Sequence, residues 1–446
     1  MNPQSSSPSS SLDTRAIWAI AIPAMVTNVA TALIGVGDMW IVGRLEDAAT
    51  QGAVDVGARL FAVLFTVMNF LKNGTTGLVA QSGRKGGEEA QVDVLIRGLA
   101  VGLAIAALLL IAKPWLMPFA LGALGAQADV LAAATTYADI RYWTAPGVML
   151  NLALMGFLVG RRQMIALLWI EVAYNALNVS LGLLLALRLE WGIAGIGWSS
   201  FVAEYAKLAA LTIVVMRGST GRHLRSALSG GASLGWSKLA PFLSVNRDIF
   251  LRTLILTVAL ASLTRLSAER GPEVLAANGI IYQLFILTSL LLDGFENAAQ
   301  VLNGERLGAR DRAGFTAYTR AILWRGFAGA AVVALAFAIF ADPILASFAA
   351  TPGVAQEAQR QAIWLIAIPF AGVAGFIFDG IFVGASWTRA MLASMAIAAA
   401  VFTLCLWLTW PLGNTALWGS FVLFLVTRAT AQLAMMPRLV RRTFAG

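Results

Sequence analysis

Twelve runs of apolar residues, each long enough to cross roughly 30 Å of hydrocarbon at about 20 residues per span, constrain this chain more than any other feature. They centre on 16–42, 56–80, 94–115, 131–158, 164–189 and 193–216, then, after a polar stretch from Arg217 to Lys238, on 242–266, 275–302, 317–341, 357–384, 390–410 and 415–436. Hydrocarbon offers backbone groups no water, so spanning segments must be helices or a closed barrel, and these runs lack the alternation of barrel strands. The expected fold is therefore an all-α membrane protein of about twelve transmembrane helices in two six-helix lobes. The expected organisation is a disordered cytoplasmic tail at 1–14, an N-lobe at 15–216, a cytoplasmic linker at 217–240, a C-lobe at 241–437 and a cytoplasmic tail at 438–446.

With 59% hydrophobic and 12% charged residues, the bilayer is the solvent. The single Cys405 and single His223 exclude a disulfide framework and a Cys/His metal cluster, so any ionic chemistry rests on carboxylates. Placing the N-terminus inside gathers most loop arginines and lysines on the cytoplasmic face, among them Arg15, Arg84, Lys85, Arg161, Arg162, Arg222, Arg310, Arg389 and Arg441. That bias predicts cytoplasmic termini and a cell inner membrane location, and makes the net charge of +9 a topology signal. Basic residues scattered over short loops do not form a nucleic-acid surface.

The halves read as repeats. Asn69-Phe70-Leu71-Lys72-Asn73 lies 224 positions before Asp293-Gly294-Phe295-Glu296-Asn297, and Gly156-Phe157-Leu158-Val159-Gly160 lies 224 before Gly380-Ile381-Phe382-Val383-Gly384. A third match, Trp198, Ser200, Phe201 and Val202 against Trp418, Ser420, Phe421 and Val422, has an offset of 220. Repeats with an even number of spans insert the same way round, related by a pseudo-twofold axis along the membrane normal. Two such halves rocking about a central cavity favour a transporter.

Ile22-Pro23-Ala24-Met25, Gly37-Asp38-Met39-Trp40-Ile41-Val42-Gly43, Thr75-Thr76-Gly77-Leu78-Val79-Ala80-Gln81, Asn246-Arg247-Asp248, Leu292-Asp293-Gly294-Phe295 and Phe378-Asp379-Gly380 together resemble the multidrug and toxic compound extrusion (MATE) family, in its DinF-like branch. The resemblance implies export of bulky, cationic or aromatic compounds in exchange for protons or sodium ions, without a soluble cofactor. It implies that Asp38 changes protonation while the first helix bends at Pro23, with Asn178 and Ser200 in the same cavity. Gly182 stands where relatives carry a second Asp, so a two-carboxylate relay is not expected.

Physically, a carboxylate within a span costs of order 2.5 to 3.5 kcal/mol and needs a partner or a task. Asp38 is the leading ion-coupling candidate. Asn28, Asn178 and Ser200 either line its cavity or join helices. Asp293 and Glu296 share a helix face. Lys72, the repeat equivalent of Glu296, either meets it as a gate or pairs within its own lobe. Asp379 is either a working C-lobe acid or a structural partner of Arg247 or Arg252. The expected partners are the lipid bilayer and small organic molecules, and the expected state is a monomer. The second reading is a flippase for a lipid-linked precursor, whose cavity would be strongly cationic. A membrane enzyme would need a nucleophile or metal constellation that a lone loop histidine does not supply.

Overall fold

A computed structural model describes residues 13–43, 48–123, 128–217, 219–230, 234–349 and 351–445, which are helical almost throughout. The segment 1–12, assigned to the tail, lies outside the described residues. Helices α1 (Thr14–Gly43), α2 (Ala48–Met68), α3 (Phe70–Ala123), α4 (Ala128–Arg141), α5 (Ala145–Gly160), α6 (Met164–Gly182) and α7 (Gly192–Met216) build the N-lobe. An amphipathic α8 (Ser219–Gly230) follows. Helices α9 (Trp236–Ala268), α10 (Pro272–Gly308), α11 (Arg312–Phe348), α12 (Pro352–Arg360), α13 (Ala362–Gly384), α14 (Thr388–Thr409) and α15 (Asn414–Phe444) build the C-lobe.

Among the described residues, ten stretches are long and apolar enough to cross a membrane. One of them, Val56–Gly122, holds two spans, because non-helical torsions at Gly86 and Gly87, the latter with φ of 68°, turn the chain back. With α1 the spans number twelve. Two of the expected boundary regions carry helix. Within 217–240 these are α8 and the start of α9. The segment 438–446 continues α15 as far as Phe444, because Thr443 accepts a hydrogen bond from the indole of Trp387 at 3.1 Å and Phe444 packs edge-on against Phe315.

The repeat is written into the packing at the same offset of 224. A Cβ on Gly156 would lie 2.5 Å from the Lys72 carbonyl oxygen, and one on Gly160 2.8 Å from that of Thr76. In the C-lobe, Gly380 and Gly384 press in the same way against the carbonyls of Glu296 and Gln300. Glycines four apart let backbones approach and pack a spanning pair without a hydrophobic driving force. The turns that follow also match: Arg162 and Ser386 both take left-handed conformations (φ 61° and 57°), and Gln163 N–H and Trp387 N–H each donate to a carbonyl five residues back at 2.8 Å.

The apolar core has an asymmetric shape. One cluster is shared by both lobes, running from Ile17, Leu71 and Phe157 to Phe295, Phe378 and Met391. Two further clusters each belong to a single lobe, one between Ile41 and Ile196 and the other between Ala259 and Leu425. The lobes thus meet on one side of the membrane and hold separate cores on the other.

Candidate functional site

The side on which the lobes meet is the one carrying Asp13, the α4–α7 half's turn at Arg162 and the end of α10. Gln81 on α3 donates to the Gly384 carbonyl (2.7 Å) and the Ser386 hydroxyl (2.8 Å). The pseudo-symmetric counterparts of Gln81 and Ser386 are Glu305 and Arg162, and these pair as well, with Arg162 Nε donating to Glu305 Oε1 at 2.6 Å. Arg84 adds a looser contact to Glu305 at 3.9 Å. Closer to the middle, Gln300 donates to the Asn73 carbonyl at 2.5 Å, and Asn28 donates to the Leu290 carbonyl at 3.2 Å. Asn28 thereby joins α1 to α10.

Three polar clusters lie at membrane depth. In the N-lobe, Asn178 donates to the Ser200 hydroxyl at 3.4 Å, and both residues are buried. The Asn178 carbonyl oxygen and both side-chain atoms of Asn175 are buried without a hydrogen bond. Asp38 lies on α1, and its side chain lies outside the described residues. Ile41, one helical turn further on, is fully buried, and its Cδ1 would sit 2.8 Å from a Cβ on Gly182. The space in which the resemblance placed a second carboxylate is filled by aliphatic packing. A π-helical turn, Leu183–Arg188, begins immediately after Gly182, a distortion that often marks functional segments. Helix α1 runs unbroken through Pro23.

The second cluster joins α6 and α7. Lys207 Nζ lies 2.6 Å from Glu171 Oε1 as an ion pair without an aligned N–H···O bond, and sits over the Tyr174 ring at 4.7 Å. Asn151 on α5 donates to Glu204 Oε1 at 2.8 Å.

The third cluster holds the C-lobe together. Asp379 on α13 is 1% exposed, which for a carboxylate demands full compensation. Gln432 donates to its Oδ1 at 2.6 Å, Arg252 pairs with its Oδ2, and Arg428 lies 3.5 Å from that oxygen. Arg428 is itself 1% exposed, stacks over Phe376 at 5.0 Å and lies against Gly375, whose missing side chain leaves room for the guanidinium. Asp248 is held separately by Arg247 (2.8 Å) and the Thr388 hydroxyl (3.0 Å).

Lys72, Asp293 and Glu296 stand between these clusters. Lys72 interacts electrostatically with Glu171 and Lys207 of its own lobe and with Asp293 and Glu296 of the other. The two acids interact in turn with Arg252 and Arg428. Lys72 and Glu296 lie on α3 and α10, which the Gln300–Asn73 hydrogen bond joins at the lobe interface, without a direct ion pair between the two among the described residues. Gln81, Ser386, Arg162 and Glu305 were missed at the sequence level, although the same 224-residue offset that singled out Lys72 and Glu296 links them. Arg428 and Gln432 carried only a weak signal, as polar residues one turn apart in an apolar span.

Comparison with known proteins bears on what this arrangement does. Residues 23–184 and 249–408 each match the family model described as MatE. The DNA damage-inducible protein F of Escherichia coli K12 is 32% identical over 430 residues, covering 95% of this chain and 92% of that protein. The multidrug export protein MepA of Staphylococcus aureus strain RF122 is 22% identical over 286 residues, covering 63% of this chain and 61% of its own length. Among solved structures, a MATE protein in the bent conformation superposes with a TM-score of 0.87 at 17% identity over 98% of both chains, a likeness of fold.

Proposed function

Because the chain belongs to the MATE family of multi-pass membrane transporters, we propose that it is a secondary antiporter exporting organic cations and aromatic compounds in exchange for protons, or for sodium ions if the proton does not serve. The observation that carries this reading is the divided core: two pseudo-symmetric lobes share apolar packing on one side and separate on the other. Such a pair has two discrete packings available, which is what alternating access requires. On the positive-inside orientation the clasped face is cytoplasmic, the membrane is the bacterial inner membrane, and the cavity opens outward.

Asp38 is the proposed coupling carboxylate. An acid facing a low-dielectric cavity favours its neutral form, so proton and organic cation compete for it. Buried polar atoms on Asn175 and Asn178 line the same lobe. The flippase reading fits less well, since Arg252 and Arg428 both face Asp379 and Lys207 faces Glu171, so these cations are held by acids within their own lobes rather than gathered into one phosphate site.

Efflux of a fluorescent organic cation from proteoliposomes under an imposed pH or sodium gradient tests the proposal. Gradient-driven efflux abolished by Asp38→Asn is expected. Efflux independent of both gradients would overturn the antiporter, and an unimpaired Asp38→Asn would overturn the assignment of Asp38.

A further inference from the structure

Helices α6 and α7 run antiparallel, and their polar residues fall at matching intervals. Glu171, Asn175 and Asn178 lie four and then three residues apart on α6, and Ser200, Glu204 and Lys207 repeat that spacing on α7, so each set forms one stripe along its helix. The stripes face each other. Asn178 meets Ser200 at 3.4 Å at one end and Glu171 meets Lys207 at 2.6 Å at the other, roughly 10 Å apart along either axis at the helical rise. Glu204 stands between, one turn from each end, and Asn151 of α5 donates to its Oε1 at 2.8 Å. Both acids are buried. One end of this seam is level with Asp38. Helices α1 and α6 are the first and fifth spans and run the same way; Ile41 packs beside Gly182, so one turn back along each helix brings Asp38 to the level of Asn178. From there the seam leads toward the clasped face at Arg162.

Packing alone does not require this polarity. In the C-lobe the equivalent positions, at the offsets of 224 and 220, are Met395, Ala399 and Phe402 on α14 and Ser420, Phe424 and Thr427 on α15. There Phe402 packs edge-on against Phe424, with ring centroids 6.1 Å apart. Nor is the N-lobe seam saturated as the cluster around Asp379 is. Both carboxylate oxygens of Glu171, both polar atoms of Asn175 and Oδ1 of Asn178 are buried without a hydrogen bond among the described residues. Ionisable groups kept within spans against the cost of burial mark ion and proton pathways, and orphaned buried polar atoms are where internal waters bind.

We propose that this seam carries the coupling proton from the level of Asp38 toward the clasped face, by a route separate from the cavity that admits the organic cation, with Glu204 and Glu171 as successive acceptors. The proton that Asp38 gives up passes through a water held by Asn178 and Asn175 and forms an O–H bond on Glu204. That bond breaks as one forms on Glu171, across a second water, and the proton then leaves Glu171 to water. Each transfer breaks one O–H bond and makes another, so charge is conserved. Lys207 keeps its own protons and is the fixed counter-charge of the acids, 2.6 Å from Glu171. The other ionisable groups facing the seam are Tyr174 on α6, Tyr205 on α7, Lys72 on α3 and Arg141 at the end of α4. The route rests on the proton coupling proposed above, and it supplies further acids in a lobe where Gly182 replaces the expected second carboxylate.

The test uses the full chain in proteoliposomes with ethidium as the organic cation, in two assays. One is efflux driven by a pH gradient. The other is exchange of labelled for unlabelled ethidium at equal pH on both sides, which needs the lobes to move but no net proton transfer. Glu204→Gln is expected to slow gradient-driven efflux at least tenfold while exchange stays within about twofold of the original. Glu171→Gln combined with Lys207→Gln, which removes the ion pair without stranding either charge, should do the same. Glu204→Asp, which keeps the acid, should hold efflux within about threefold of the original and checks that the position tolerates substitution. Efflux slowed less than tenfold in either neutral variant overturns the route, while gradient-driven export by the unsubstituted chain can still hold. Parallel loss of efflux and exchange in the neutral variants also overturns it, because the seam would then serve packing or cation binding. Efflux by the unsubstituted chain that ignores the pH gradient overturns the proton coupling itself, and the route with it.

Discussion

Replacing Asp379 by asparagine removes one negative charge from a site where two guanidinium groups depend on it, without changing the volume. Asp379 and Arg428 are each 1% exposed, so water cannot take over the compensation. Removing one partner of a buried, hydrogen-bonded charge cluster costs about 3 to 5 kcal/mol. Gln432 can still donate to the asparagine oxygen, which confines the loss to the ionic part. An unfolding entropy near 2.1 cal/mol/K per residue gives a 446-residue chain about 0.9 kcal/mol per degree, so Asp379→Asn should lower the melting temperature by about 4 °C. Arg84→Gln is the reference, because the Arg84–Glu305 contact is long at 3.9 Å with a 58% exposed arginine. It should cost under about 1 kcal/mol. Intrinsic fluorescence or thiol-reactive dye melting in detergent reads both. The double variant Asp379→Asn with Arg428→Met restores charge balance and should recover more than half of the loss. A melting point for Asp379→Asn within a degree of the original, or a double variant less stable than the single, would refute the view that Asp379 serves the two arginines.

Two further predictions follow from the clasped face. A Cβ at Gly308 would collide with the Gln81 carbonyl oxygen, and one at Gly77 would lie 2.6 Å from that of Val383. Gly308→Val should therefore push the lobes apart there and slow cysteine crosslinking between positions 81 and 386 by tenfold or more, whereas Gly122→Val, in open space, should not. The second concerns Glu88, just past the Gly86-Gly87 turn and outside the apolar part of its span. Hydrogen bonds from Ser219 and Thr220, joined by Arg161, hold its pKa at about 2 against an ordinary 4.5. A depressed carboxylate pKa contributes stability that is complete above pH 4.5 and lost as pH falls toward 2. Limited proteolysis between α7 and α9 should accelerate across that window, and Glu88→Gln should be cut quickly already at pH 7.

Much of the architecture was legible in the sequence because a bilayer reduces the choice to helices and because the halves repeat. The offset that aligned Lys72 with Glu296 also aligns Gly156 with Gly380 and Gln81 with Glu305, and the structure uses each pair in equivalent positions. Less could be read of the site. Arg252, Asp379, Arg428 and Gln432 come from α9, α13 and α15, far apart in the chain, and only tertiary packing decides that one aspartate serves them all. Asn28 could line a cavity or join helices, and its bond to the Leu290 carbonyl depends on how α1 crosses α10. Gly182 signalled a missing carboxylate, but not that Ile41 would occupy the space. Helix α8 escaped notice because its 12 residues are polar on average and amphipathic only in helical register.

The central claim is that protons and organic cations exchange on carboxylates within one two-lobed cavity. Proton release on ligand binding tests it most directly: purified protein in lightly buffered detergent at pH 7, titrated with tetraphenylphosphonium while a pH-sensitive dye is followed. The account predicts release of up to about one proton per ligand bound, with the same binding curve for both signals and loss of the proton signal in Asp38→Asn. Saturable binding with no proton release at any pH between 6 and 8, and no displacement of sodium in its place, would contradict it.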